Sequence, residues 1–70
     1  MEINLSETKT VEAEDFVYIN HAMHDKEGNP QLVECIEFTV IGNNHQWKNG
    51  MPITEFLQYN EGFDLDEVVA

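Results

Sequence analysis

Seventy residues with a mass of 8.1 kDa make one small domain, residues 1–70. At that size a folded surface of about 4,500 Å² is expected, and a deep catalytic pocket is hard to support inside so small a core. Fourteen acidic residues against three lysines give a net charge of −11, a sign that repels nucleic acid and anionic membranes.

Met1, Ile3 and Leu5 alternate with Glu2, Asn4 and Ser6, which predicts a short first strand. The stretch 8–15 follows, and its threonines with Val11 favour an extended continuation over a loose helical turn. Residues 16–23 and 32–41 are rich in aromatic and β-branched side chains and flank the turn-forming cluster Asp25-Lys26-Glu27-Gly28-Asn29-Pro30. This pattern predicts an antiparallel hairpin with a loop of four to six residues.

Alternation along the second hairpin strand separates Leu32, Glu34, Ile36, Phe38 and Val40 from Val33, Cys35, Glu37, Thr39 and Ile41. The uninterrupted stripe Ile36, Phe38, Val40 is the expected core face, with Glu34 near the strand's edge. The other face is apolar enough to expect partial cover, from another element or from a second copy of the chain.

Gly42-Asn43-Asn44 and Asn49-Gly50 are two turn signals. His45–Lys48 between them reads as a short strand or a loop. After Pro52 the spacing of Ile53, Phe56 and Leu57 becomes helical, with Pro52 suited to a first helical position and Gly62 to a left-handed stop. A helix over 52–60 follows. The tail 63–70 alternates Phe63 and Leu65 against Asp64 and Asp66, as a final edge strand or an acidic tail would. The expected class is therefore α+β: a small antiparallel sheet of three to five strands around a central hairpin, with one short helix in the C-terminal half.

Motifs for chemistry are sparse. Cys35 is the single cysteine, has acidic neighbours in Glu34 and Glu37, and reads as a small buried hydrophobe. His21 and His24 would fall on opposite faces of a strand, and with His45 and Cys35 elsewhere no zinc-ligand spacing results. The loop 25–29 is too short for a calcium site. No nucleophile elbow and no glycine-rich phosphate cradle occurs. The expectation is a chain without enzyme activity, metal or cofactor. An N-terminus without a basic and apolar leader, and a lone cysteine, favour a cytoplasmic location.

Charge placement carries the functional expectation. Residues 38–54 hold no acid, and contain His45, Trp47 and Lys48. Glu12, Glu14 and Asp15 form one acidic cluster, and Asp64, Asp66 and Glu67 a second. If both clusters lie on strands, carboxylates at i and i+2 stand about 6.7 Å apart, close to the rise of two phosphates along one DNA strand, about 6.8 Å. Such a surface suits the groove of a basic nucleic-acid-binding protein. Trp47, a residue type enriched at binding hot spots, joins these acids as a candidate contact. The expected function is an acidic inhibitor or regulator acting on a protein partner, of the DNA-mimicking kind that phages and mobile elements encode. The alternative is an accessory subunit that oligomerises through its hairpin, the acids serving only solubility.

Overall fold

The computed structural model describes residues 1–69; Ala70, the end of the expected tail, lies outside the described residues. Four strands, β1 (Glu2–Asn4), β2 (Thr10–His24), β3 (Pro30–Gly42) and β4 (His45–Pro52), are followed by α1 (Ile53–Tyr59) and α2 (Leu65–Val68). The strands form one antiparallel sheet in chain order, β1-β2-β3-β4. The α+β class is thus observed, with a second short helix beside the expected one.

Local chemistry explains the turns. Between β1 and β2, Ser6 Oγ accepts from the backbone N–H of Thr8 and of Lys9, at 3.2 and 3.1 Å. In the β2–β3 loop, Asp25 Oδ1 accepts from the N–H of Glu27 and Asn29, and Gly28 supplies a φ of 86°. Asn43 and Asn44 alone join Gly42 to His45, its partner in the ladder, with Asn44 in the left-handed region at φ 71°.

Asn49-Gly50 forms no turn. The chain runs through it as β4, with Asn49 opposite Phe38 and Gly50 opposite Glu37. The glycine serves a close approach instead, since a Cβ there would lie 3.1 Å from Ile36 O.

The first hairpin strand is longer than 16–23 because a bulge rescues its alternation. Glu14 pairs with Thr39 and Val17 with Glu37, so Asp15 and Phe16 together oppose Phe38. Asp15 takes the left-handed conformation, φ 58°, which aspartate tolerates better than most residues. The extra residue resets the side-chain period, and Ala13 and Phe16, three apart, both point to the core.

Both helices pack on that one face. Ile3, Ala13, Phe16, Ile36, Phe38 and Val40 from the sheet meet Phe56 of α1 and Leu65 of α2 in one cluster. Phe16 has its ring centroid 5.5 Å from Phe38, 6.5 Å from Phe56 and 6.2 Å from Phe63, and Phe56 meets the same rings from α1. The expected core stripe Ile36, Phe38, Val40 is fully buried.

The two ends of the chain are clasped by polar contacts. Buried Asn60, just after α1, accepts from Asn4 N–H at 2.8 Å and donates to Asn4 O at 2.9 Å and Phe56 O at 3.0 Å. Pro52 is the N-cap of α1 and not its first helical residue. Gly62 takes φ 80° between the helices. The tail is no edge strand: Asp64 Oδ1 accepts from Asp66 N–H and caps a single turn, α2. Val69 then makes a parallel bridge to Phe16.

The helices cover only the lower part of the sheet. The distal ends of β2 and β3 project beyond them as a two-stranded arm. The surface is accordingly 5138 Å², well above the size-scaling value of about 4,500 Å², and the extents are 40 × 27 × 27 Å. Leu32 on the arm is 74% exposed. Val17, Ile19, Val33 and Ile41 lie on the face away from the helices and are half-buried, with buried Cys35 among them.

Candidate functional site

Where the arm leaves the helices, the inner face of the sheet turns polar. Tyr18 pairs with Ile36, and Asn20 with Glu34, on the same face as the core stripe. These residues meet α1 and α2 in an open cleft of about 660 Å³. Its apolar wall is Ile53 and Leu57 of α1 with Phe63 and Leu65. Glu34, Asp64 and Asp66 supply three carboxylates, and no lysine or histidine lines it. The cleft is open, lying between the arm and the helices at the edge of the packed cluster, where Leu65 lines it.

One hydrogen bond ties the two sides together. Tyr18 Oη donates to Asp66 Oδ1 at 2.7 Å across the mouth of the cleft. That bond, with the negative charge of Asp66 and Asp64 and some burial, holds the Tyr18 phenol above its ordinary pKa. Asp64 is occupied on one oxygen by the α2 cap. None of the three cleft carboxylates forms an ion pair among the described residues.

The candidate residues from the sequence divide between two faces. Glu12 and Glu14 lie on β2, opposite Ile41 and Thr39, on the face away from the helices, and there share one side as a strand requires. The N-terminal ammonium of Met1 pairs with Glu12. Asp15 sits in the bulge beside them. Asp64, Asp66 and Glu67 belong to α2 and its cap, on the helix side. A 6.7 Å strand spacing therefore holds for Glu12 and Glu14 only. For Asp64 and Asp66 the helical turn replaces it, because the Asp64 side chain takes up an α2 amide.

Trp47 is apart from both clusters. It pairs with Val40 on the helix side of β4, is 39% exposed, and stacks on His45 at 4.9 Å between ring centroids. His21 and His24 fall on opposite faces of β2, and among the described residues no three His, Cys, Asp or Glu side chains are placed to hold a metal ion. Cys35 is a buried free cysteine. No helix among the described residues is long and apolar enough to cross a membrane.

The cleft residues Tyr18, Glu34, Leu57 and Phe63 escaped the sequence reading. One signal was present: Glu34 breaks the stripe of Ile36, Phe38 and Val40, and Asn20 faces it. Two adjacent polar residues on a core face mark where the covering layer stops. Comparison with known proteins gives no matching family model, no similar curated protein and no similar solved structure.

Proposed function

We propose that the chain is a non-catalytic protein–protein interaction module, an acidic inhibitor or regulator of a basic, nucleic-acid-handling partner. The observation that carries this reading is the cleft between the arm and α2, where three carboxylates gather without a cation at the edge of an apolar wall. A charge of −11 works against compaction of so small a domain. A basic partner would offset that repulsion on binding, and long-range attraction would steer the encounter. A ladder of phosphate-like charges is less well supported, since Glu12 and Glu14 stand on the opposite face from Asp64 and Asp66.

The test is displacement. Basic proteins of the source cell are loaded on DNA-cellulose, and the purified chain is passed over them at low and at raised salt. Release of a defined basic protein at low salt only is the expected result. No release, or release indifferent to salt, overturns the reading.

The projecting arm favours a second reading, an accessory subunit that assembles through its hairpin, because Leu32 and Met23 are exposed there. A mass that rises with concentration in light scattering would support it, and a monomer at millimolar concentration would remove it.

A further inference from the structure

The cleft has the make-up of a receptor for a peptide segment, which is more specific than an acidic surface. We propose that it receives a basic amphipathic segment of a partner protein, with one large apolar side chain seated against Leu57 and Phe63 and flanking lysines or arginines against Glu34, Asp64 and Asp66. This inference rests on the reading of a basic partner and adds where and how that partner is held.

Three features argue for that occupant. The wall is a contiguous apolar surface that the core leaves partly uncovered: Leu57, 38% exposed, faces the cleft together with half-buried Ile53 and Phe63. A partly open apolar wall beside a few polar groups is what a receiving cleft presents. The charge is one-signed, for no cation lines the cleft. A neutral apolar ligand would leave those carboxylates beside a desolvated surface, while an acidic one would be repelled. Finally, the arm and α2 stand on either side of the apolar wall and are linked by the bond from Tyr18 to Asp66. Asp66 is held by that bond and Asp64 by its cap on α2 before binding, which lowers the ordering cost of association.

The inference separates cleanly from general charge attraction through Leu57→Glu. That variant adds a negative charge while blocking the apolar wall. If binding is only electrostatic it tightens; if the cleft holds an anchor it weakens.

The probe is a set of fluorescein-labelled twelve-residue synthetic peptides. Lysine content varies from none to six, and the central residue is Leu, Phe, Trp or Ser. Affinities are read by anisotropy at low salt. Amide shifts in ¹⁵N spectra locate the bound peptide. Lysine-rich peptides with an apolar centre should bind about tenfold or more tighter than their serine counterparts, from burial of one large side chain. They should shift Tyr18, Leu57 and Phe63 through Asp66, and lose about tenfold on Leu57→Glu. Circular dichroism checks the fold of that variant. Should it fail to fold, Glu34→Gln, at an exposed arm position, must weaken the same peptides severalfold.

Equal affinity for serine-centred and apolar-centred basic peptides, or tighter binding by Leu57→Glu, overturns the cleft and leaves the acidic module standing. Lysine-free apolar peptides binding as well as basic ones overturns the charged occupant. Absence of binding by every basic peptide overturns the cleft, while displacement of a basic protein from DNA decides the reading it rests on.

Discussion

Replacing Asn60 with leucine removes three hydrogen bonds, two that join β1 to the end of α1 and one that closes on the last turn of α1 itself. The bonds are short, 2.8 Å from Asn4 N–H and 2.9 and 3.0 Å to Asn4 O and Phe56 O. Each contributes about 1 kcal/mol net, and the Asn4 groups left behind lose a matched partner. Phe56 O keeps its bond from Asn60 N–H, and exposed Asn4 regains some water, so a loss of about 2–3 kcal/mol is expected. In a domain of this length that lowers Tm by about 10–20 °C. Asn60→Asp is the sharper companion. It keeps the size and the acceptor oxygen, but sets a carboxylate oxygen where an amide N–H₂ faced two carbonyls. At neutral pH it should cost at least as much as leucine, since repulsion replaces a missing attraction. Thermal and urea unfolding by circular dichroism measure both. A Tm within about 3 °C of the parent for Asn60→Leu would refute the clasp. So would Asn60→Asp proving clearly the milder of the two.

Further outcomes follow from other contacts. The Tyr18 phenol is held above its ordinary value of 10.0, first by its hydrogen bond to Asp66 and then by burial and nearby charge. A raised folded value means that this contact stabilises the fold at neutral pH and is lost as pH climbs above 10 through the raised value. Tyrosinate absorbance should show a late-titrating component from Tyr18, and Asp66→Asn should move it down toward the ordinary value; an unchanged curve would count against the bond. At the bulge, Asp15→Ala should lower stability by about 1 kcal/mol through left-handed strain and Asp15→Gly should restore most of it, with equal stabilities of the two variants speaking against the strain. A Cβ at position 42 would lie 2.9 Å from the Trp47 ring. Gly42→Ala should therefore swing the only tryptophan off His45 and red-shift its emission, and an unshifted spectrum would mean that the ring accommodates the methyl without moving.

Local chemistry written in short segments was legible in advance. The hairpin loop announces itself through Asp25, Gly28 and Asn29, and the core stripe through Ile36, Phe38 and Val40. The helix after Pro52 follows from the spacing of Ile53, Phe56 and Leu57, and Gly62 marks its end. What escaped depends on distant partners. Asn49-Gly50 has the composition of a turn, yet Gly50 is small because the backbone of Ile36 lies against it. Asp64 and Asp66 alternate as on a strand, yet one capping bond from Asp66 N–H to Asp64 Oδ1 settles them as a helical turn. The Asp15 bulge has no signature beyond an alternation that fails between Ala13 and Phe16. The cleft was least legible, since it exists only where β2 and β3 outrun the helices. No segment states that length difference by itself.

Met1 and Val69 dock on one stretch of β2. The Met1 ammonium donates to Ala13 O at 2.9 Å, and Val69 bridges to Phe16. Only the bulge at Asp15 and its neighbour Glu14 separate these points. Residues 1 and 69 are therefore neighbours on β2, and a short glycine link engineered between them would close the described residues into a ring without disturbing the sheet. Breaks could then be moved to the Asp25–Asn29 loop or to Asn43-Asn44. A circularly permuted chain opened at Asn43-Asn44 would keep the arm and the cleft whole while turning β4 into the first strand made. Only the covalent order of the strands would change, so the side-by-side order in the sheet and the walls of the cleft would survive rewiring.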